Sequence, residues 1–184
     1  NDYINGGAGN DEYRFAPGFG QDNLYAGGGS DKVVFGSGID PAGMAITRSW
    51  NDLTLTTGAA TTQTAAIVGG GLELRGAGPF TLLNVANNVA TLAINTTEAV
   101  TYTDANAVAI GTVTGLGTVG ITTTNDNVRI NAGGIAVDGA VALGTGNLTL
   151  NASSASTQTA PIVAAGLELL GAGPYALNDA GNDV

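Results

Sequence analysis

The chain contains no histidine and no cysteine, and only 5 of its 184 residues are Lys or Arg. Without His or Cys there is no zinc finger, no thiol nucleophile, no Ser-His-Asp relay and no disulfide framework. So few cations cannot neutralise a phosphate backbone, which makes nucleic acid and anionic membrane poor partners. Long apolar runs are missing too. Gly, Thr, Asn or Asp interrupts each one well short of the roughly 18 residues of a membrane span, and no secretory leader is legible. The sequence opens partway through a repeat, so the missing leader carries little weight.

What is present is 15 acidic residues, 30 glycines and a 43% apolar fraction, enough to bury a core. Residues 1–51 carry six acids against three bases, and 52–184 carry nine against two. In the first 34 residues a nonapeptide recurs. Its fullest copy is Gly6-Gly7-Ala8-Gly9-Asn10-Asp11-Glu12-Tyr13-Arg14, which fits G-G-x-G-x-D-x-U-x with U a large apolar residue. Copies at 17–25 and 26–34 lack only the first Gly, where Pro17 and Ala26 stand, and Asn1–Asn5 is the back half of another. The aspartates therefore fall at 2, 11, 22 and 31, with Phe15-Ala16 inserted between the middle pair. Glycines permit positive φ and expose carbonyls in a tight turn, Asp supplies a hard oxygen, and U points inward from a short strand. A calcium ion takes six to eight such oxygens, more than one turn offers; two stacked turns can supply them.

A longer repeat follows. Residues 52–89 align without gaps on 147–184, an offset of 95, with 21 of 38 positions identical. Apolar-x-apolar triplets recur at Leu53/Leu55, Leu72/Leu74, Leu92/Ile94, Val108/Ile110, Val128/Ile130, Leu148/Leu150 and Leu167/Leu169, in steps of 19, 20, 16, 20, 20 and 19. Such triplets are period-2 strands with one buried face, and the turn pairs Asn51-Asp52, Asn87-Asn88, Asp126-Asn127 and Asn182-Asp183 flank several of them. An evenly spaced β-sandwich has no reason to duplicate 38 residues at five times its strand spacing. The expectation is all-β: a parallel β-roll running into a β-helix, together a β-solenoid, with seven coils and a rod of roughly 34 Å beyond residue 51. Its parts would be a β-roll over 1–34, a connecting β segment over 35–51, and β-helix repeats over 52–184 with a partial second copy from 147. The best helix candidate, 40–44, is at most a short turn.

On the nonapeptides, residues 1–34 resemble the repeats-in-toxin (RTX) family of secreted bacterial proteins. The resemblance implies a β-roll with two nonapeptides per turn, calcium between equivalent loops, and export of an unfolded chain that calcium then folds. Carried over, Asp11 faces Asp31 with carbonyls of Gly7, Gly9, Gly27 or Gly29 completing the shell, and Asp2 faces Asp22 on the other side. On Thr62-Gln63-Thr64-Ala65, Gly71-Leu72-Glu73-Leu74 and Gly76-Ala77-Gly78-Pro79, residues 52–184 resemble the repeats of filamentous-haemagglutinin-type exoproteins, adhesive right-handed β-helices.

Other chemistries fare worse. Glu73 and Glu168 are equivalent, each between two inward leucines, so both should point out of the coil as solvated side chains. Five coils apart, roughly 24 Å, they exceed the glycosidase carboxylate separations of up to about 9.5 Å. After residue 51 the only bases are Arg75 and Arg129, and Tyr102 and Tyr175 read as packing residues. Thr54/Thr56, Thr101/Thr103 and Thr122/Thr124 do not recur in one phase of every coil, as a flat ligand-binding row would require; they read as β-propensity. The expected protein is a non-enzymatic, calcium-stabilised rod, secreted or on a bacterial cell surface, that serves adhesion or matrix and filament assembly. Its partners would be other copies or flanking repeats stacked head to tail, and cell-surface or matrix carbohydrate. The alternative is a carbohydrate-active or carbohydrate-binding β-helix module.

Overall fold

The computed structural model describes residues 3–18, 23–25, 28, 31–35, 53–57, 60–63, 65–113 and 117–184. Among them there is no helix, and every strand pairing is parallel. The 40–44 turn and all of the connecting segment but Phe35 lie outside the described residues. The first coils carry β1 (Tyr3–Asn5), β2 (Glu12–Phe15), β3 (Asn23–Tyr25) and β4 (Lys32–Phe35). Next come β5 (Leu53–Thr57), β6 (Thr61–Thr62), β7 (Val68–Gly76), β8 (Phe80–Leu82), β9 (Asn88–Thr96), β10 (Val100–Thr103) and β11 (Val108–Ile110). The last coils hold β12 (Ile121–Thr122), β13 (Val128–Ala132), β14 (Ile135–Val137), β15 (Val141–Ala142), β16 (Asn147–Ala152), β17 (Ser156–Gln158), β18 (Ile162–Val163), β19 (Gly166–Leu170) and β20 (Tyr175–Ala176).

All strands but β7 and β9 have six residues or fewer, and their pairing partners lie one coil away rather than in a hairpin. One wall is the six-stranded stack β6-β8-β10-β13-β16-β19. The opposite wall runs β2-β4-β5-β7-β9-β11-β14-β17-β20, with β12, β15 and β18 beside it. The alternation read in the sequence is real. In β10, β13 and β14 buried residues alternate with half-buried ones, and the inward side chains stack in rows such as Tyr102, Ile130 and Leu150. Each fully buried Leu, Ile or Val in these rows contributes about 1.5–3 kcal/mol.

The seven triplets are not seven rungs of one ladder. Leu53, Leu72 and Leu92 are strand partners in register on one wall, whereas Val128, Leu148 and Leu167 follow Val100 on the other, so about six coils are present rather than seven. The slip arises at an excursion. Leu92 pairs Ile110, an offset of 18, but Ile94 pairs Ile121, an offset of 27. Nine extra residues leave the wall after Gly111, make an antiparallel bridge between Thr112 and Val119, and return through Gly120, whose amide donates to the Gly111 carbonyl. Gly120 sits at φ +66°, where a Cβ would strike the Ala140 carbonyl.

The duplicated segment therefore keeps its own register but changes sides. Leu53↔Leu72 recurs as Leu148↔Leu167, and Val68↔Asn88 as Val163↔Asp183. Yet β5 belongs to the longer sheet and its counterpart β16 to the six-stranded one. Ninety-five residues span four and a half coils plus the excursion, not five coils.

Candidate metal centre

The glycine turns stack with a step of 20 residues. β1 pairs β3 with Tyr3 opposite Asn23, and β2 pairs β4 with Glu12 opposite Lys32, so two nonapeptides and the Phe15-Ala16 insertion make one coil. Between the strands, Ala8 bridges Gly28; the Gly9 amide donates to the Gly28 carbonyl at 2.7 Å and the Gly28 amide to the Gly7 carbonyl at 3.1 Å. Gly7 and Gly9 adopt φ of +85° and +129°, which few other residues tolerate. Asn5 supports the turn by accepting the Gly7 amide on Oδ1 at 3.0 Å.

This register sets Asp11 against Asp31. The Asp11 amide donates to Asp31 Oδ1 at 3.1 Å, and the Asp11 carbonyl accepts the Lys32 amide at 2.7 Å. Asp31 is 5% exposed. Asp11 folds back over its own turn: its Oδ2 and the Tyr13 hydroxyl crowd Gly6 so closely that any Cβ there would strike both. That Oδ2 is buried and has no hydrogen-bond partner among the described residues. A carboxylate oxygen withdrawn from water without a donor is costly, and a hard cation is one way to offset it. The donor set fits such an ion in kind, being all oxygen: two carboxylates and the nearby glycine carbonyls. Among the described residues no group of three or more acidic side chains gathers, so carbonyls would supply most of a shell. Asp2, Asp22, Gly27 and Gly29 lie outside the described residues. On the neighbouring strands, Lys32 Nζ donates to Glu12 Oε2 at 3.0 Å and Arg14 lies beside the same carboxylate, holding Glu12 below the usual carboxylate range.

The two equivalent glutamates part ways. Glu168 is solvated as expected, its side chain 58% exposed and accepting the Thr149 hydroxyl at 3.1 Å. Glu73 is not: it is 1% exposed. It does point outward from β7, but the excursion comes down on that face, and the Thr118 amide donates to Glu73 Oε1 at 3.1 Å with Arg75 3.8 Å away. Ala93, its partner on β9, is equally buried. Outward threonines form no uniform row, since Thr101 continues into Arg129, Thr149 and Glu168.

Tyr102 and Tyr175 are packing residues. Tyr102 is fully buried and donates to Asp104 Oδ2 at 2.7 Å; burial, then that carboxylate, pushes its pKa upward. Tyr175 accepts the Ala152 amide and donates to the Leu170 carbonyl at 2.6 Å.

Sequence reasoning missed an amide clasp. Gln63 and Asn87 bond each other reciprocally, and Asn87 Oδ1 also accepts the Ile67 amide at 2.8 Å. Gln158 and Asn182 repeat the arrangement, with the Ile162 amide on Asn182 Oδ1 at 2.9 Å. The signal was the exact recurrence of Thr-Gln-Thr and of one Asn 24 residues beyond the Gln in both copies. Compared with protein-family models, curated proteins and solved structures, the chain matches none of them.

Proposed function

We propose that this chain is a structural segment of a large secreted bacterial repeat exoprotein of the RTX kind, a calcium-stabilised β-solenoid rod used for surface adhesion or for matrix and filament assembly, without catalytic activity. The observation that carries the reading is the buried Asp11 Oδ2, without a hydrogen-bond partner among the described residues, on a positive-φ glycine turn one coil step from Asp31. Asp11, Asp31 and the carbonyls of Gly7 and Gly9 would hold the ion, with Gly27 and Gly29 from the next turn. Bound calcium would tie adjacent turns together and neutralise their carboxylates. Extracellular sites of this class bind at roughly 10⁻⁴–10⁻³ M, so the coil would be loose in a cytosol and tight outside.

Far-UV circular dichroism across a calcium titration, repeated after chelation and with Asp11→Asn plus Asp31→Asn, tests this. A gain of β signal near millimolar calcium that the double variant loses supports the reading, and a spectrum indifferent to calcium overturns its metal part.

A second reading, carbohydrate binding, is favoured by one feature. A groove of about 270 Å³ on the six-stranded wall is lined by Thr103, Asp104, Asn131, Asn151 and Ser153. Their amides and hydroxyls are suited to sugar hydroxyls. Calorimetry with neutral and acidic bacterial polysaccharides, against Asn151→Leu, tests it: heat that the variant abolishes supports this reading, and no heat from either class sinks it.

A further inference from the structure

The six-stranded wall carries an amide ladder on its outer face. Thr103, Asn131 and Asn151 hold the same outward position on β10, β13 and β16, and each of these strands is paired on both edges, so the ladder lies within the stack. Arg129 Nε donates to Asn131 Oδ1 at 3.2 Å, and because a guanidinium can only donate, this contact fixes which way the amide points. Asn131 Nδ2 therefore faces back along the rod and donates to Thr103 Oγ1 at 3.2 Å and to the Tyr102 carbonyl, while Asn151 Nδ2 donates to Asn131 Oδ1 at 3.1 Å. The bonds all run one way, from Asn151 to Thr103, and polarise one another. Asn131 is saturated by its neighbours. What is left over is mixed: the Thr103 hydroxyl hydrogen, the second Asn151 amide hydrogen and Asn151 Oδ1 have no partner among the described residues.

Charge narrows the class of ligand. Arg129 is the one base among the strands of this wall; its Nε is engaged by Asn131 and its Nη1 lies 4.0 Å from Glu168 Oε2. Asp104 also lines the groove, but its oxygens already accept the Val89 and Asn106 amides and the Tyr102 hydroxyl, so it adds negative charge and no donor. A carboxylate ligand, which can only accept, would meet Asn151 Oδ1 and two like charges. Hydroxyl groups, which both donate and accept, suit every spare function. Spacing gives the direction. Successive rungs lie about 4.8 Å apart, and an extended β-1,4-linked pyranose chain repeats at nearly that distance. The groove of about 270 Å³ runs from Thr103 past Asn131 and Asn151 to Gly171, over four successive coils.

We propose that this groove binds a neutral, extended β-1,4-linked glucan lying parallel to the rod axis, one sugar ring to each coil. The proposal rests on the carbohydrate-binding reading and not on calcium. The Thr103 hydroxyl donates to a ring hydroxyl at one end, and the Asn151 amide donates to one hydroxyl and accepts from the next two rungs further on. Few direct bonds per ring make a single ring a poor ligand, so binding builds up along the chain as successive rings engage successive coils.

The test uses the full chain with cello-oligosaccharides of two to six rings and the same series oxidised to uronates at C6, read by calorimetry and by NMR of the asparagine side-chain amides. Expected are affinity that rises with length up to about four rings, binding of the oxidised series at least about tenfold weaker, and shifts at the Asn131 and Asn151 amides. Thr103→Val keeps the shape and removes the free donor; it should weaken binding about three- to tenfold with an unchanged far-UV spectrum. Thr122→Val, exposed on the other wall, should leave affinity as it was. Affinity that stops rising at two rings would mean that the sugar crosses the coils, and equal or tighter binding of the oxidised series would mean that charge does not select; either overturns the proposal and leaves carbohydrate binding in place. So does silence from both series when dextran gives heat that Asn151→Leu abolishes. Silence from every saccharide, by a chain whose spectrum is native, removes the carbohydrate reading and this inference with it.

Discussion

The two copies of the 38-residue segment share their internal register, yet the same letters meet different surroundings. Leu74 is sealed and Leu169 is 41% exposed; Glu73 lies under the excursion and Glu168 lies in solvent. Asn87 is fully buried, while Asn182 is half-buried. In a solenoid each coil contacts only its neighbours, so a residue's energetic weight is set by what stacks above and below it as much as by its own identity. Substituting equivalent positions in parallel is therefore a direct way to measure what a neighbouring coil contributes.

The largest contrast is expected in the core. Leu74→Ala should cost about 2–5 kcal/mol in urea unfolding, because a cavity opens against Ile94 in the core and the rigid rows cannot collapse into it. Leu169→Ala should cost less than about 1 kcal/mol, since much of that side chain is already in water. Equal costs would mean that the last coil is covered in solution, which would break the comparison at its root.

The amide clasp should rank next. Asn87→Ala removes the acceptor of the buried Ile67 amide and the bonds to Gln63 and the Thr103 carbonyl together, although Gln63 Oε1 still accepts the Asn84 amide, so a loss of about 1–3 kcal/mol is expected. Asn182→Ala removes the acceptor of the Ile162 amide, but water can reach that half-buried corner, and about 0.5–1 kcal/mol is expected. Hydrogen exchange at Ile67 and Ile162 would locate the damage. If the two variants lose the same stability, the clasp is a local corner device that needs no coil above it.

Much of this architecture could be read from the chain alone, and the misses have physical causes. Period-2 triplets and glycine turns indicated the solenoid, while the placing of Asp11 against Asp31 came only from the resemblance of the nonapeptides to repeats-in-toxin turns. The phase slip was hidden because the excursion after Gly111 carries its own alternation, so Val108/Ile110 and Val128/Ile130 look like successive rungs although they lie on different walls. The outward direction of Glu73 was legible but its burial was not, since a strand pattern says which way a side chain points and nothing about a segment 45 residues later folding over it. Asn87 was read as a turn residue for the same reason: its partners Gln63 and Thr103 are distant in sequence. At the glycine turns, residue types indicated an oxygen site, but not that Asp31 Oδ1 already accepts the Asp11 amide while Asp11 Oδ2 has no donor among the described residues.

The smallest contrast concerns the glutamates, and it separates charge from coverage. Glu73→Gln keeps the shape of the side chain and an oxygen that can still accept the Thr118 amide, so what it removes is the charge on that bond and the attraction to Arg75. Arg75 is itself 43% exposed and stays solvated when its partner is neutralised, which spares the variant the several kcal/mol of a stranded buried charge. The remaining loss is the difference between a charged and a neutral hydrogen bond, about 1 kcal/mol. Glu168→Gln should lie within about 0.5 kcal/mol of the parent, because its contacts to Thr149 and Arg129 are exposed and screened. Amide exchange at Thr118 sharpens the reading: Glu73→Gln should speed it while Glu168→Gln leaves it unchanged. A Glu73→Gln chain as stable as the parent, with Thr118 equally protected, would mean that packing of Val113 and Ala93 holds the excursion down and that the buried carboxylate is incidental to it.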